Sequence, residues 1–502
     1  MMNKTNRILL SLALSVSTQA GEWVVDSQEE WQAATAKQIG IEIVDGYAKP
    51  SPQAADSLKG FGSVIQSKVR IFDSKRKIET LTIKQSDKWL NWKPVDKVQP
   101  ANLRDAPVFL VRGDRDYWIF GRYAPSKNKK PFRAEVAKLG GFDVPLMTTP
   151  YPNQFDAPGG LQKSLGGYHA WQSRDMINWV HHGPVSEGFS KWVTTAEMVD
   201  GKLYLYYDFP NDQDPHLYID EDLTDGRPGS NIGMAFNDPS HGSDCAVIRG
   251  LDGRFHMIYE DWSPINARKH SWDSPLAGHA VGRKGFMDFE IVKPAVDVRT
   301  KATGKIETYN HPHWMQEDPK RFKSNVAEYE VHEPQQDAFG DWAAIAIGGQ
   351  YYLFADYHPA NGKIRIGWFT SESIDKPFEF CGEIGSGHPD PDIGFAEGIF
   401  YLINQTKHDY LSTGPWVRGV EARVGVDTDG DAKIDQWTDW QVMSESYERV
   451  EGFSKQIKRN PATLDASSLA AGTGFEFQLK IYDVEGNVTL PELDRVTLKF
   501  AD

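Results

Sequence analysis

Four aspartates recur at nearly constant distance ahead of an aromatic-rich run. Asp105 stands twelve residues before Tyr117, Asp244 eleven before Phe255, Asp341 ten before Tyr351 and Asp390 ten before Phe400. A fifth run offers Glu197, six residues before Leu203. One acid in such a place is an ordinary turn residue, but four at matching offsets suggest convergence on one site. Clustered carboxylates raise one another's pKa, so that one stays protonated as a proton donor while another, ionised, accepts a proton. Trp192, Trp314 and Trp342 lie near the same positions and either stack on a bound ring or pack in the core.

A second acidic pattern is Asp427-Thr-Asp-Gly-Asp-Ala-Lys-Ile-Asp435. Asp427, Asp429, Asp431 and Asp435 occupy positions 1, 3, 5 and 9 of a loop, as in the first part of an EF-hand, and alternate residues of a tight turn aim hard oxygens at one Ca²⁺. Two positions depart from that pattern: Ala432 stands where glycine makes the sharp turn, and Thr438 stands where the closing Glu would be. The alternative is a solvated acidic turn. Either way, the loop lies outside the repeats and is expected to have a structural role. No organic cofactor is expected.

The elements that must position the first group are repeats. A turn followed by an alternating aromatic run occurs five times: Asp116-Tyr-Trp-Ile-Phe-Gly, Gly201-Lys-Leu-Tyr-Leu-Tyr-Tyr, Gly253-Arg-Phe-His-Met-Ile-Tyr, Gly349-Gln-Tyr-Tyr-Leu-Phe and Gly398-Ile-Phe-Tyr-Leu-Ile. Another apolar run precedes several of them (106–111, 245–249 and 343–347), so the units read as β-hairpins. Segments 172–179, 232–239 and 366–373 read as third strands running into turns. The expected fold is all-β: a five-bladed propeller over 99–418, with a β-sandwich as the alternative. In a propeller the innermost strands start around a common axis, which would gather the acids into one funnel.

Two flanks remain. Residues 21–98 read as an accessory β region with a short helix over 28–38 and strands at 69–72 and 79–84. Residues 419–502 read as an immunoglobulin-like β-sandwich carrying the acidic loop, with strands at 475–482 and 496–500. At the very start, Lys4 and Arg7 precede the apolar run 8–16 and the small-residue end Thr18-Gln19-Ala20. That is the pattern of a secretory signal peptide over 1–20 and implies export, periplasmic or secreted. The net charge of -15 comes without a basic stripe, so neither nucleic acid nor an anionic membrane is an expected partner. Cys245 and Cys381 read as unpaired core residues.

Three segments carry a resemblance. Arg104-Asp-Ala-Pro-Val-Phe-Leu-Val resembles the blade-one strand of five-bladed propeller glycosidases, and Ser243-Asp-Cys-Ala-Val-Ile-Arg-Gly-Leu-Asp-Gly-Arg-Phe-His resembles their blade-three strand. Ser173-Arg-Asp-Met-Ile-Asn-Trp-Val resembles their outer-strand motif. The similarity is to glycoside hydrolase families 43 and 117. It implies an exo-acting, inverting hydrolase releasing a terminal sugar from cell-wall or algal oligosaccharides, an anhydrogalactose-terminated galactan among them.

The same resemblance implies Asp105 as base, Asp244 as the carboxylate that tunes the acid, and Asp341 as acid. His332 is a second candidate acid, from a run that also holds His311 and His313. Glu197, Trp192, Trp314, Trp342, His388 and Asp390 would bind substrate. Rival readings are a non-catalytic carbohydrate-binding propeller and a glycoside phosphorylase. The second would need a cationic cluster for phosphate, for which Arg104, Arg249 and Arg254 are the nearby candidates.

Overall fold

The computed structural model describes residues 21–52, 63–86, 89, 93–94, 100, 103–123, 136–139, 142–145, 167–188, 190, 192–209, 214–238, 243–261, 276–296, 338–358, 364–384, 390–404, 411–413, 418–482 and 490–501. The chain divides into two compact units: 1–87 with 415–446 and 461–502, and 88–414 with 447–460. Among the described residues the structure is almost entirely β, with one α-helix, Gln28–Ala34.

That helix is shorter than the expected 28–38. Ser27 caps its start by accepting the Glu30 N–H, and the Thr35 hydroxyl donates to the Trp31 carbonyl at its end. The next residues, Thr35–Ile39, pair instead with Ser63–Ser67, so sheet pairing overrides local helical pattern.

In the first unit the two flanks interleave. Leu493–Phe500, from the C-terminal flank, pairs with both Glu22–Val25 and Ile78–Gln85 of the N-terminal flank in a six-stranded sheet. Gly472–Ile481 pairs with Ser63–Ser67 and with Val420–Asp427 in a seven-stranded sheet. Apolar residues of both sheets, such as Trp23, Leu81 and Leu498 of one and Val424, Phe477 and Leu479 of the other, share one core. The alternating burial along Ile78–Gln85 is what a strand with one covered face requires.

Among the described residues the second unit contains, besides a two-stranded ribbon of Val136–Leu139 with Phe142–Pro145, four four-stranded sheets and one six-stranded sheet, numbered I to V here with the six-stranded one as IV. Their first strands are Leu103–Gly113, Trp192–Val199, Ser243–Arg249, Ala338–Ile347 and Asp392–Ala396. Each contacts the first strand of the next, and the fifth contacts the first, so the five form a closed ring. The five aromatic runs are the second strands: Asp116–Tyr123, Lys202–Phe209, Phe255–Glu260, Gln350–His358 and Ile399–Ile403. Sheet V is completed by Lys93–Pro94, from before sheet I, which pairs with Leu411–Thr413.

Segment 232–239 departs from its expected place. Ser230–Met234 is the fourth strand of sheet II, and the third is Asp214–Asp220, whose flanking acids mask the apolar pattern. In sheet I, Ser173 ends the third strand. Asp175 makes the turn by accepting the N–H groups of Ile177 and Asn178, and Trp179 opens the fourth strand. The Ser-x-Asp-x-x-x-Trp motif is therefore turn chemistry.

Apolar clusters fill the joints between neighbouring sheets. Val108 and Trp118 of sheet I meet Val193 and Leu205 of sheet II, and Tyr206 of sheet II meets Val247 and Met257 of sheet III. Ile258 of sheet III meets Ala344 and Phe369 of sheet IV, and Phe109 and Ile119 of sheet I meet Tyr401 of sheet V. Trp89 wedges between sheets IV and V, its ring edge-on to Tyr352, Phe354 and Phe400 at 5.2 to 5.4 Å.

Segment 447–460 also belongs to the second unit rather than to the flank that surrounds it in sequence. It touches all five sheets. Arg449 donates to the Val111 carbonyl, Ser454 to Glu197, and the Gln456 amide to the Arg249 carbonyl. Gln456–Asn460 pairs in parallel with sheet IV, and Tyr447 packs on Phe395 and Phe400 of sheet V. The Lys455 ammonium, buried within this strap, donates to the Thr195 hydroxyl at 2.9 Å and the Val247 carbonyl at 2.8 Å.

Neither cysteine is in a disulfide, and only Cys245 is in the core; Cys381 is exposed, on a sheet IV strand whose alternate residues face outward.

Candidate active site

The starts of the first strands share one local feature. In sheet III the pairing register slips between Ser243 and Ala246, in sheet IV between Gly340 and Ala343, in sheet II between Val193 and Thr195, and in sheet I opposite Phe120 to Arg122. Such bulges turn a side chain out of the sheet's own alternation, and they concentrate near functional sites. The bulged residues include Asp244 and Asp341, which adopt left-handed backbone conformations with φ of 41° and 51°. Asp390, just ahead of the first strand of sheet V, does the same with φ of 59°. For a non-glycine residue this conformation costs about 1 kcal/mol, with Asp among the residues that tolerate it best.

Each of these three strained aspartates is held by the preceding sheet. The Asp244 N–H donates to Asp208 at 3.2 Å, the Asp341 N–H to Glu260 at 3.3 Å, and the Asp390 N–H to Asp356 at 2.8 Å. Asp208 also accepts the Ser243 hydroxyl. Asp208, Glu260 and Asp356 lie on the second strands of sheets II, III and IV, each five residues after the start of its aromatic run. That constant spacing is present in the sequence, but an acid in the middle of an aromatic run gives no local sign that it holds the strand start of the next sheet.

The result is one narrow funnel at the strand starts, with a cavity volume of about 30 Å³ and open to solvent. Asp244, Asp341, Asp390 and Asp392 line it with Trp192, Thr194 and Tyr168. Sheet I contributes Ala106, Pro107 and Val108, the residues directly after Asp105. Asp105 lies on the first strand of sheet I; its side chain is outside the described residues, as are His332, Trp314 and His388 entirely.

The electrostatics single out Asp341. Burial first, and then the carboxylates Asp390, Asp244, Asp356 and Glu260, push its carboxyl well above the usual range. Asp392 is also raised, to about 6, by burial, against the opposing pull of Lys455 and of the N–H groups of Phe109 and Ile393. The Phe109 N–H to Asp392 bond, 2.6 Å, joins sheet V to sheet I just beyond the bulge. A protonated carboxyl beside others is the arrangement that separates a proton donor from an acceptor.

Several expected contributions are placed elsewhere. Glu197 does not line the funnel. It is buried farther along the sheet II strand, where it accepts the Arg249 N–H at 3.2 Å and the Ser454 hydroxyl of the strap. Sheet II offers the funnel Trp192 and Thr194 instead. Trp342 lines the funnel but is 2% exposed and packs on Phe339 and Phe369, so it is chiefly core. Trp192 is half-buried, and one face of its indole is covered by the Arg122 guanidinium, 4.2 Å from the ring centroid.

Of the cations, Arg249 stacks on Phe453 of the strap, and Arg254 binds Asp252 and Asp375. Neither is among the residues that line the funnel. Arg104, exposed on the first strand of sheet I, is not among them either.

In the first unit, Asp427, Asp429 and Asp435 bring carboxylate oxygens within 4.8 Å of one another. Asp431 is not part of this group: its carboxylate pairs with Lys433 at 2.9 Å. The buried Asp427 accepts the N–H groups of Gly430 and Ala432, and Asp435 accepts the N–H and hydroxyl of Thr428. Ala432 makes the turn that glycine would make, with φ of 65°. Three hard oxygen donors on one loop fit Ca²⁺ in kind, and the remaining ligands would come from the backbone and water.

No protein-family model matches the chain, and no curated protein matches it. Solved structures do resemble it at low identity. The RS223 β-xylosidase is 12% identical, with a TM-score of 0.36 over 73% of this chain and 98% of that one. An α-L-arabinofuranosidase from Clostridium thermocellum is 14% identical, with a TM-score of 0.32 over 72% and 95%. A family 43 enzyme from Xanthomonas citri in complex with xylose is 14% identical, with a TM-score of 0.37 over 69% and 92%.

Proposed function

We propose that the second unit is a five-bladed β-propeller with the catalytic site of a glycoside hydrolase, and that the first unit is an accessory β-sandwich. The observation that carries the reading is the meeting of Asp244, Asp341 and Asp390, from three different sheets, at one funnel in which Asp341 is held toward its protonated form. Asp341 donates its proton to the glycosidic oxygen as the bond to the anomeric carbon breaks. A water molecule attacks that carbon and loses a proton to Asp105, while Asp244 keeps the Asp341 pKa high. Glycosidic bond and water are thus exchanged for two hydroxyls. The paired roles follow the glycosidase resemblance in the sequence.

The proposed substrate is a cell-wall or algal oligosaccharide, with a galactan ending in anhydrogalactose as one member of that class. Cleavage would be at a chain end, with inversion, and the enzyme would be exported by the N-terminal signal. Asp427, Asp429 and Asp435 would hold a structural Ca²⁺ in the first unit. A lectin-like reading is weaker, because Trp342 is buried and one face of Trp192 is already occupied.

The test is product release from terminal α- and β-linked oligosaccharides by the wild type and Asp105→Asn. A monosaccharide released by wild type, with the variant slower by ~10³-fold, is the expected result for a missing base. Binding without cleavage would remove the enzyme reading, and an unimpaired variant would remove Asp105 from it.

A further inference from the structure

Sheets I and III each hold two buried histidines in direct contact. His169 and His181 of sheet I lie 2.9 Å apart, Nδ1 to Nε2, and so do His256 and His279 of sheet III. The sheet I pair is stacked on Tyr123 and Trp171, and no third metal-ligating group joins it among the described residues. The sheet III pair differs. A ring nitrogen of His256, a ring nitrogen of His279 and a carboxylate oxygen of Asp375 lie within 4.8 Å of one another.

The fold fixes this meeting. His256 is on the second strand of sheet III, and His279, on the third (Ala277–Gly282), stands directly opposite Ile258. Residues two apart in a strand, and residues opposite across a pair, face the same side. Ile258 packs against sheet IV, so both rings face that sheet. Asp375 lies in the sheet IV turn between Arg365–Ser371 and Glu379–Ile384. That turn is fastened in place: Phe378 donates its N–H at 2.7 Å to the carbonyl of Ala295, whose own N–H binds Ala277 of sheet III.

Both histidines are 1% exposed, and the remaining ring nitrogens, Nε2 of His256 and Nδ1 of His279, have no hydrogen-bond partner. A neutral imidazole has one N–H and one lone pair, so the single bond between the rings leaves one of each unmet whichever tautomers they adopt. Buried polar groups are rarely left so. Burial lowers the pKa of both rings, that of His279 to about 4, so both are neutral and able to give a lone pair. Two nitrogens at about 2.0–2.1 Å from one Zn²⁺ stand roughly 3 Å apart, the spacing already present. With the facing nitrogens on a metal, the protons sit on the outer ones. The carboxylate of Asp252 is at hand for His256 Nε2, since both border the space beside Gly250. Arg254 now pairs with Asp252 at 2.6 Å and Asp375 at 3.4 Å. All three side chains are exposed, so the longer pair is a weak one that a divalent ion can displace.

We propose that His256, His279 and Asp375 bind one Zn²⁺ between sheets III and IV, where it ties the sheet IV turn to sheet III. Two imidazoles and a carboxylate suit Zn²⁺ and leave a fourth position for water.

Titration calorimetry of the untagged chain with ZnCl₂, in saturating Ca²⁺ so that the loop at Asp427 is occupied, tests it. One Zn²⁺ per chain should bind with a Kd of about 1 µM or tighter. Asp375→Ala, a change at an exposed position, should weaken binding by roughly 100-fold. Arg254→Gln removes the competing cation and should tighten it several-fold, the opposite of what a loss of packing would do. Co²⁺ in place of Zn²⁺ should give the visible absorption of a tetrahedral site in wild type and not in Asp375→Ala or His279→Gln. Should His279→Gln fail to fold, the Asp375 and Arg254 variants still decide. No zinc binding below about 100 µM overturns the site, as does binding that Asp375→Ala leaves within about twofold, which would be zinc held by surface carboxylates. Either result leaves the hydrolase reading untouched, because none of the three residues lines the funnel.

Discussion

Asp341 carries most of the weight at the scale of single residues. Its folded-state pKa is raised by burial and by Asp390, Asp244, Asp356 and Glu260. The native state therefore holds this proton more tightly than the unfolded chain does. Its favourable effect on stability is complete below the ordinary Asp pKa and is lost as pH rises through the raised value. Asp341→Asn removes that loss, so the variant should melt a few degrees higher than wild type at neutral and alkaline pH and show no advantage at about pH 4. Calorimetry across that range checks it. A variant that melts lower at every pH would mean that the carboxyl is not strained. The same substitution should slow hydrolysis of an oligosaccharide by ~10³-fold but spare an aryl glycoside whose leaving group needs no proton. Initial rates on the two substrates make the comparison. The offsets of Asp244, Asp341 and Asp390 showed in the sequence that acids would gather. Burial, which decides which of them keeps its proton, depends on neighbours from other sheets and showed nowhere in the local pattern.

At the scale of elements, the strand starts are pinned by carboxylates of the neighbouring sheet. Asp208 is buried and accepts both the Ser243 hydroxyl and the Asp244 N–H. Asp208→Ala leaves both donors without that partner, and a lost buried acceptor of this kind costs about 2–3 kcal/mol. The midpoint of urea unfolding should fall accordingly, and activity should fall further than stability, because Asp244 loses its fixed orientation. Alternating aromatic runs made the five second strands legible, since period-two patterning and turn glycines survive in any context. Bulges were not legible: they add residues without altering composition. Glu197 shows the consequence. Its distance from Leu203 placed it at a strand start, whereas it pairs with Tyr204 well inside the strand, where its carboxylate serves the strap.

The whole molecule is organised by pairings between distant parts of the chain. The Trp31 indole donates to the Asp494 carbonyl, and Gln66 donates to Glu476, each across more than four hundred residues of sequence. Composition marked both flanks as β-rich, yet local patterns carry no information about which strands pair, so their interleaving was not readable. Nor was the strap: in 447–460 the apolar residues Tyr447, Val450, Phe453 and Ile457 stand three or four apart, a spacing that marks neither a strand nor the five sheets it touches. In the first unit, removing Ca²⁺ with EDTA should lower the melting temperature by several degrees through mass action alone. Asp429→Ala should melt like the chelated wild type and respond no further to Ca²⁺, while both retain hydrolysis. An unchanged melt after chelation would mean that the loop is a solvated turn.

The most direct test of the funnel as a hydrolytic site is sugar release from one cleavable oligosaccharide by wild type, Asp244→Asn and Asp341→Asn, each shown to be folded by its melting curve. The account predicts turnover by wild type and losses of about 10³-fold in both variants. Turnover by all three at comparable rates would contradict it.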